Sequence, residues 1–309
     1  MTTPYRAHPA LNWSRLAAIA RSPAHYRHAL AHPVEPTPAM VLGTLAHLAT
    51  LEADVYAATV LVAPAKPDGR TKLGKAAQAG RAALDEALAA AKAAPDDLAA
   101  LLAYAEHVDR VAAGGVTVAT EAQDETARAI AAAVHAHPLA SLLLSEADAE
   151  VPMYWQDAGT PCTGLIDALV REPSDALRWA LGVTEPGAIV ADLKTVGTGL
   201  DRLADTSARR MWHGQLAHYA AGVEASGYPV AARVIVAVEP SAPHDVVVGV
   251  MTPETCEAGD ALRARLMRTL AACEASGEWP GMAPAATRLG LPRWAAESDD
   301  DVDPDAVEW

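Results

Sequence analysis

The sequence predicts an α/β protein with a mixed central β-sheet, helices on both sides of it and an N-terminal helical elaboration. Three observations carry this. From residue 11 to about 145, apolar residues recur at helical spacing in a background dense in Ala and Leu. At Glu150 the character changes to short β-rich runs bounded by Gly, Pro or Asp. Beyond Ser207 helical and strand-like segments alternate, as in a sheet layered with helices.

Taken in order, "LNWSRLAAIARSPAHYRHAL" (11–30) is helical with a break at Ser22-Pro23, where a second short helix starts. "EPTPAMVLGTLAHLATLEADVY" (35–56) is a further helix, with Thr37 as N-cap and Pro38 at the first helical position. From about Lys75 to Ser145 the spacing predicts three helices, interrupted at "APDD" and "AGG". "EVPMYWQD" (150–157), "CTGLIDALV" (162–170) and "GAIVADLKTV" (187–196) are three consecutive strands. A helix over "SARRMWHGQLAHYAAGVEASG" (207–227) follows, then strands "AARVIVAVEP" and "HDVVVGVM", then a closing helix from Thr252, its N-cap, to Ser276.

At 309 residues and 51% hydrophobic content the chain has enough apolar mass for a sizeable core. Cys162, Cys256 and Cys273 are far apart, which excludes a CxxC metal or redox motif and suits no disulfide framework, so the expected compartment is the reducing cytoplasm. "MTTPYRAHPALNWS" has no basic patch followed by an apolar core, and no apolar run reaches the ~20 residues of a membrane span, so the expectation is a soluble protein with no membrane partner. The formal charge of −15 runs against nucleic-acid binding, which is driven by Lys and Arg. Seven of those negative charges, however, lie in the tail "ESDDDVDPDAVEW", whose composition predicts disorder from about 296 to 309. "KPDGRTKLGKAAQAGR" (66–81), by contrast, holds five bases and one acid.

Within the strands sits a set of residues with chemical potential. Asp192 and Lys194 are two apart in "IVADLKTV" and share one face of their strand. Asp167 lies inside the apolar "GLIDAL", where an unpartnered carboxylate is costly. Gln215 and Tyr219, four apart, share one side of the following helix, and His47 lies upstream in "GTLAHLATLE". If the second and third strands pair as a hairpin, the two aspartates lie side by side as hard oxygen ligands for a divalent cation, with the Leu193 carbonyl as another. The alternative for Asp192 and Lys194 is a structural ion pair. Glu52 reads as a surface acid, and His135 and His137 as surface residues without metal partners.

The ordered set of His, Asp, DxK and QxxxY resembles the PD-(D/E)xK nuclease superfamily. "SPAHYRHAL", "EPTPAMVLGTLAHLATLE", "DGRTKLGKAA", "CTGLIDAL", "IVADLKTV", "HGQLAHYAAG", "GEWPGM" and "LGLPRWA" further resemble, in order, the signatures of its RecE-type (exonuclease VIII-like) phage recombination exonucleases. The resemblance spans about residues 11 to 295 and implies a restriction-endonuclease-like mixed sheet in a single domain over 1–295, with a helical insertion at about 75–145. It implies that Asp167 and Asp192 ligate Mg2+, with Mn2+ as the other candidate, that His47 serves the metal or the scissile phosphate, and that Gln215 and Tyr219 orient the site. Lys194 would position water or balance phosphate charge. Two departures stand out: the third-strand acid is Asp192 where many members have Glu, and "GLID" lacks the basic residue that often precedes the acid by two positions.

The implied activity is an Mg2+-dependent exodeoxyribonuclease that processes double-stranded DNA ends 5′ to 3′, leaving a 3′ strand for a single-strand annealing protein. The implied assembly is a homo-oligomeric ring, in a bacterial or phage-encoded cytoplasmic protein. The rivals are an inactive DNA-end or partner-binding module of the same fold and a structure-specific endonuclease. Arg70, Lys72 and Lys75 are candidate phosphate contacts on a loop over the DNA entrance, with a solvated face as the alternative reading, and Arg209 and Arg210 could also reach the backbone.

Overall fold

The computed structural model describes residues 8–32, 35–91, 95–283 and 290. The acidic tail and most of "LGLPRWA" lie outside the described residues. In chain order the elements are α1 (Trp13–Ala18), α2 (Pro23–Ala31), α3 (Pro38–Leu51), α4 (Ala53–Thr59), β1 (Val60–Val62), α5 (Lys72–Gln78), α6 (Arg81–Ala89) and α7 (Leu98–Ala113). There follow β2 (Thr117–Ala119), α8 (Glu121–Ala136), α9 (Pro138–Glu146), β3 (Asp148–Asp157), β4 (Thr160–Val170), α10 (Asp175–Leu181) and β5 (Ala188–Thr195). After a 3-10 turn come α11 (Leu203–Arg209), α12 (Trp212–Ala225), β6 (Val230–Val238), β7 (Val246–Val250) and α13 (Pro253–Ser276).

The central sheet has the order β3-β4-β5-β6-β7, mixed as the sequence predicts: β5 and β6 run parallel and the other neighbours antiparallel. Parallel neighbours need a crossover, and α12 provides it, lying across one face of the sheet. Its residues Trp212, Leu216, Tyr219 and Val223 pack with Ile166, Val190 and Ile235. The opposite face is covered by α3, α8 and α9, whose Ala46, Ile130, Val134 and Ala140 meet Leu193, Val236 and Val238. Each buried Leu, Ile or Val contributes roughly 1.5–3 kcal/mol. This double burial explains why β4 to β6 read as near-continuous apolar runs. Helices α5, α6 and α7 gather a small core of their own from Ala77, Leu84, Leu101 and Ala105.

The predicted caps are present. Ser22, Thr37 and Thr252 each accept a hydrogen bond from the backbone N–H three residues on, and Pro23, Pro38 and Pro253 occupy the first helical positions. Four expectations need correction. The second and third strands pair, but not as a tight hairpin, because α10 intervenes, capped by Ser174 and closed by Gly182 at φ +67°. The Ala-rich stretch forms five helices rather than three, since Gly80 at φ +105° and the His137-Pro138 junction break the periodicity. The helix expected over 207–227 is broken at Met211, whose φ of +54° turns the chain between α11 and α12. The helix expected over 35–56 is broken at Glu52, which ends α3 and precedes α4, and the short parallel pair β1 and β2 is an addition.

Candidate metal centre

The site forms where the sheet stops pairing. β4 and β5 are hydrogen-bonded from Val170↔Ile189 to Ala168↔Ala191, and the ladder ends there. One step further in the same register, Asp167 stands opposite Asp192. On the other side of β4, Glu150 falls between the pairs Ala149↔Ala168 and Val151↔Ile166, hence opposite Asp167. Three carboxylates therefore form a row across β3, β4 and β5.

Asp167 is buried and does two jobs. Its Oδ2 accepts a hydrogen bond from the Leu193 N–H at 2.8 Å, satisfying a backbone donor that the separated strand leaves without a partner. The same oxygen faces His47 Nδ1 at 3.5 Å. His47 reaches it from α3, where its Nε2 donates to the Leu193 carbonyl at 2.8 Å. With Nε2 carrying the proton, Nδ1 presents a lone pair to a carboxylate oxygen, a repulsive pairing that either a proton or a cation between them relieves. The ligand atoms of His47, Glu150 and Asp167 all lie within 4.8 Å of one another. Carboxylate oxygens with one imidazole suit a divalent cation.

Asp192 is not part of that trio but stands next to it. It is 1% exposed, and burial pushes its carboxyl up to about 6, opposed by the Lys194 ammonium and reinforced by Asp167. Gln215 Nε2 donates to its Oδ1 at 3.0 Å, and the same amide donates to the Tyr219 hydroxyl at 2.8 Å. That double donation fixes which way the amide faces. Asp192 Oδ2 is buried and pairs with the Lys194 ammonium, so a cation bound there would share or displace that partner. Asp167, Asp192 and Leu193 together line a narrow cleft with Leu51 and Leu144. On these counts the residues fit a divalent ion.

The surrounding glycines serve packing. A Cβ at Gly164 would lie 3.0 Å from the Tyr219 ring, and one at Gly214 would lie 2.3 Å from Trp13. His218, from the same "HGQLAHYAAG", is wholly buried with Nε2 donating to the Thr163 carbonyl at 3.1 Å, away from the carboxylates.

The structure thus brings together His47, Asp167, Asp192, Leu193, Lys194, Gln215 and Tyr219. The basic candidates are exposed, and Lys72 and Lys75 sit on a helix rather than on the expected loop. Arg70 is tied to Asp68 through Nε and Nη2, Lys72 and Lys75 are exposed on α5, and Arg209 and Arg210 are exposed at the end of α11. His135, read as an unpartnered surface residue, is exposed but hydrogen-bonds the Thr50 carbonyl, and His137 caps α9. Glu150 is the residue missed from the sequence. A signal for it was present: the two-residue turn Ala158-Gly159 fixes the β3–β4 register, and counting outward from it places Glu150 level with Asp167.

Comparison with protein-family models gives no match, and comparison with curated proteins gives none. Among solved structures, a candidate exonuclease from Eubacterium rectale matches with a TM-score of 0.51, over 94% of this chain and 93% of that one, at 11% identity. The chain has a nuclease-like α/β fold. No single helix among the described residues is long and apolar enough to cross a membrane.

Proposed function

We propose that this chain is a divalent-metal-dependent exodeoxyribonuclease of the RecE type, degrading double-stranded DNA from its ends 5′ to 3′ with Mg2+ to leave a 3′ strand for an annealing protein. The observation that carries the reading is the row Glu150, Asp167 and Asp192 at the end of a strand ladder, with His47 on one flank and Lys194 on the other. The shared fold with a candidate exonuclease supports it. Polarity, the annealing partner and a homo-oligomeric ring around the duplex rest on the motif resemblance.

Asp167, Asp192, His47 and Glu150 would hold the cation, with the Leu193 carbonyl within reach of His47. A divalent ion held there would supply activation of water, neutralisation of nonbridging oxygens and help to the leaving alkoxide. The Leu193 N–H holds Asp167 in place, and Gln215, braced by Tyr219, presents Asp192. Lys194, ion-paired in a site of carboxylates, serves as an electrostatic stabiliser of phosphate charge rather than as a base. The basic residues Arg70, Lys72, Lys75, Arg209 and Arg210 would meet the flanking backbone from the surface.

The test is digestion of end-labelled linear duplex with Mg2+, beside a covalently closed circle of the same sequence. Release of nucleotides from the linear form alone, abolished in Asp192→Ala, is the expected result. Cleavage of the circle would establish an endonuclease. Binding of ends without any cleavage would establish a module that lost its chemistry.

A further inference from the structure

The Lys194 side chain has a second neighbour besides Asp192: its Nζ lies 5.9 Å from the centre of the Trp212 ring, over its face. Trp212 is the first residue of α12 and is 7% exposed. The left-handed turn at Met211 sets the direction in which α12 starts. From that start, residues 212, 215 and 219 fall on one side of the helix, and all three meet the Asp192 and Lys194 pair directly or through one another.

We propose that Trp212 is a positioning residue for Lys194, keeping the ammonium available to a phosphate of the DNA backbone once a cation occupies Asp192. This deepens the nuclease reading and rests on it. The need follows from the pair itself. Lysine carries a flexible four-carbon stem, and in the structure its head is held chiefly by the carboxylate of Asp192. A cation on that carboxylate competes for the same charge and repels the ammonium. An acidic neighbour would then capture the lysine, and an aliphatic neighbour would leave it to swing into water. The face of an indole attracts an ammonium without neutralising it, so the charge stays in place and remains free for an incoming anion.

Two measurements test this on the full-length protein. The first is equilibrium binding of a 5′-phosphorylated duplex end in Ca2+, followed by anisotropy, for wild type, Trp212→Phe, Trp212→Met, Lys194→Met and the Trp212→Met/Lys194→Met double variant. Trp212→Met is expected to weaken binding about tenfold and Trp212→Phe much less, since the phenyl face preserves the attraction. Placed on Lys194→Met, the Trp212→Met change is expected to cost nothing further. An equal cost in both backgrounds, or equal effects of Phe and Met, overturns the proposal.

The second is acylation of Lys194 by acetic anhydride in DNA-free protein with Ca2+, read by mass spectrometry. Labelling is expected to rise several-fold in Trp212→Met and to stay near wild type in Trp212→Phe. Thermal unfolding of each variant reports whether it folds, and Trp212→Leu replaces Trp212→Met if the latter does not. The labelling result stands whether or not the protein cuts DNA. An increase in Trp212→Met with no DNA binding by wild type therefore removes the nuclease reading and leaves the Trp212 contact intact, whereas unchanged labelling removes the contact.

Discussion

His218 makes the stability of this protein sensitive to acid in a way that can be assigned to one ring. Its imidazole is fully buried, donates from Nε2 to the Thr163 carbonyl, and packs against Trp155 at 4.8 Å and Trp13 at 6.3 Å between centroids. Burial pushes its pKa from 6.5 down to about 4, helped by the nearby Arg263 and opposed by the Asp157 that Arg263 pairs with. An unfolded chain takes up the proton at about 6.5, whereas the folded chain resists until about 4. Stability from this group is therefore intact above pH 6.5 and is lost as the pH falls through that window. At about 1.4 kcal/mol per pH unit, the whole effect is about 3 kcal/mol. The assay is urea unfolding of wild type and His218→Gln at several pH values from 7.5 to 4.5. Glutamine keeps a donor for Thr163 and cannot titrate, so the advantage of wild type over the variant is expected to shrink by most of that amount. A difference that stays constant over the range refutes the reasoning.

Two further outcomes concern the carboxylates. Asp167→Asn and Asp167→Ala should both abolish cleavage, but in metal-free protein only Ala leaves the Leu193 N–H buried without an acceptor. It should be less stable than Asn by about 1–3 kcal/mol in chemical denaturation. Glu150→Gln should raise the Mn2+ dissociation constant, read by electron paramagnetic resonance without DNA, by about tenfold or more; an unchanged affinity places Glu150 outside the ion's coordination.

Much of the fold was legible because local chemistry and global architecture agree. Ser22, Thr37 and Thr252 start helices in sequence and in space, and the β-branched runs around Ile166, Val190 and Ile235 become buried strands. The misreadings came from short elements whose signals lie in caps rather than in periodicity. Ser174 and Gly182 bracket α10, yet seven residues give too few turns for a helical repeat to show. In the Ala-rich stretch, alanine favours helix everywhere and so does not mark where one helix ends. Asp167 beside Asp192 followed from strand pairing. Glu150 follows from the same counting only once the Ala158-Gly159 turn is taken to fix the β3–β4 register, and its φ of +51° lies outside the plain strand alternation. The Trp212 contact was also invisible, since a tryptophan in an apolar helix reads as core.

The bond from Leu193 N–H to Asp167 makes one side chain a substitute rung of the sheet. A protein descended from this one that gave up catalysis would still need an oxygen acceptor at position 167, so its sequence should drift there toward Asn, Ser or Thr before any aliphatic residue. The same holds for laboratory scanning: loss of folding on truncation at 167 reflects architecture as much as reactivity, and polar replacements alone separate the two.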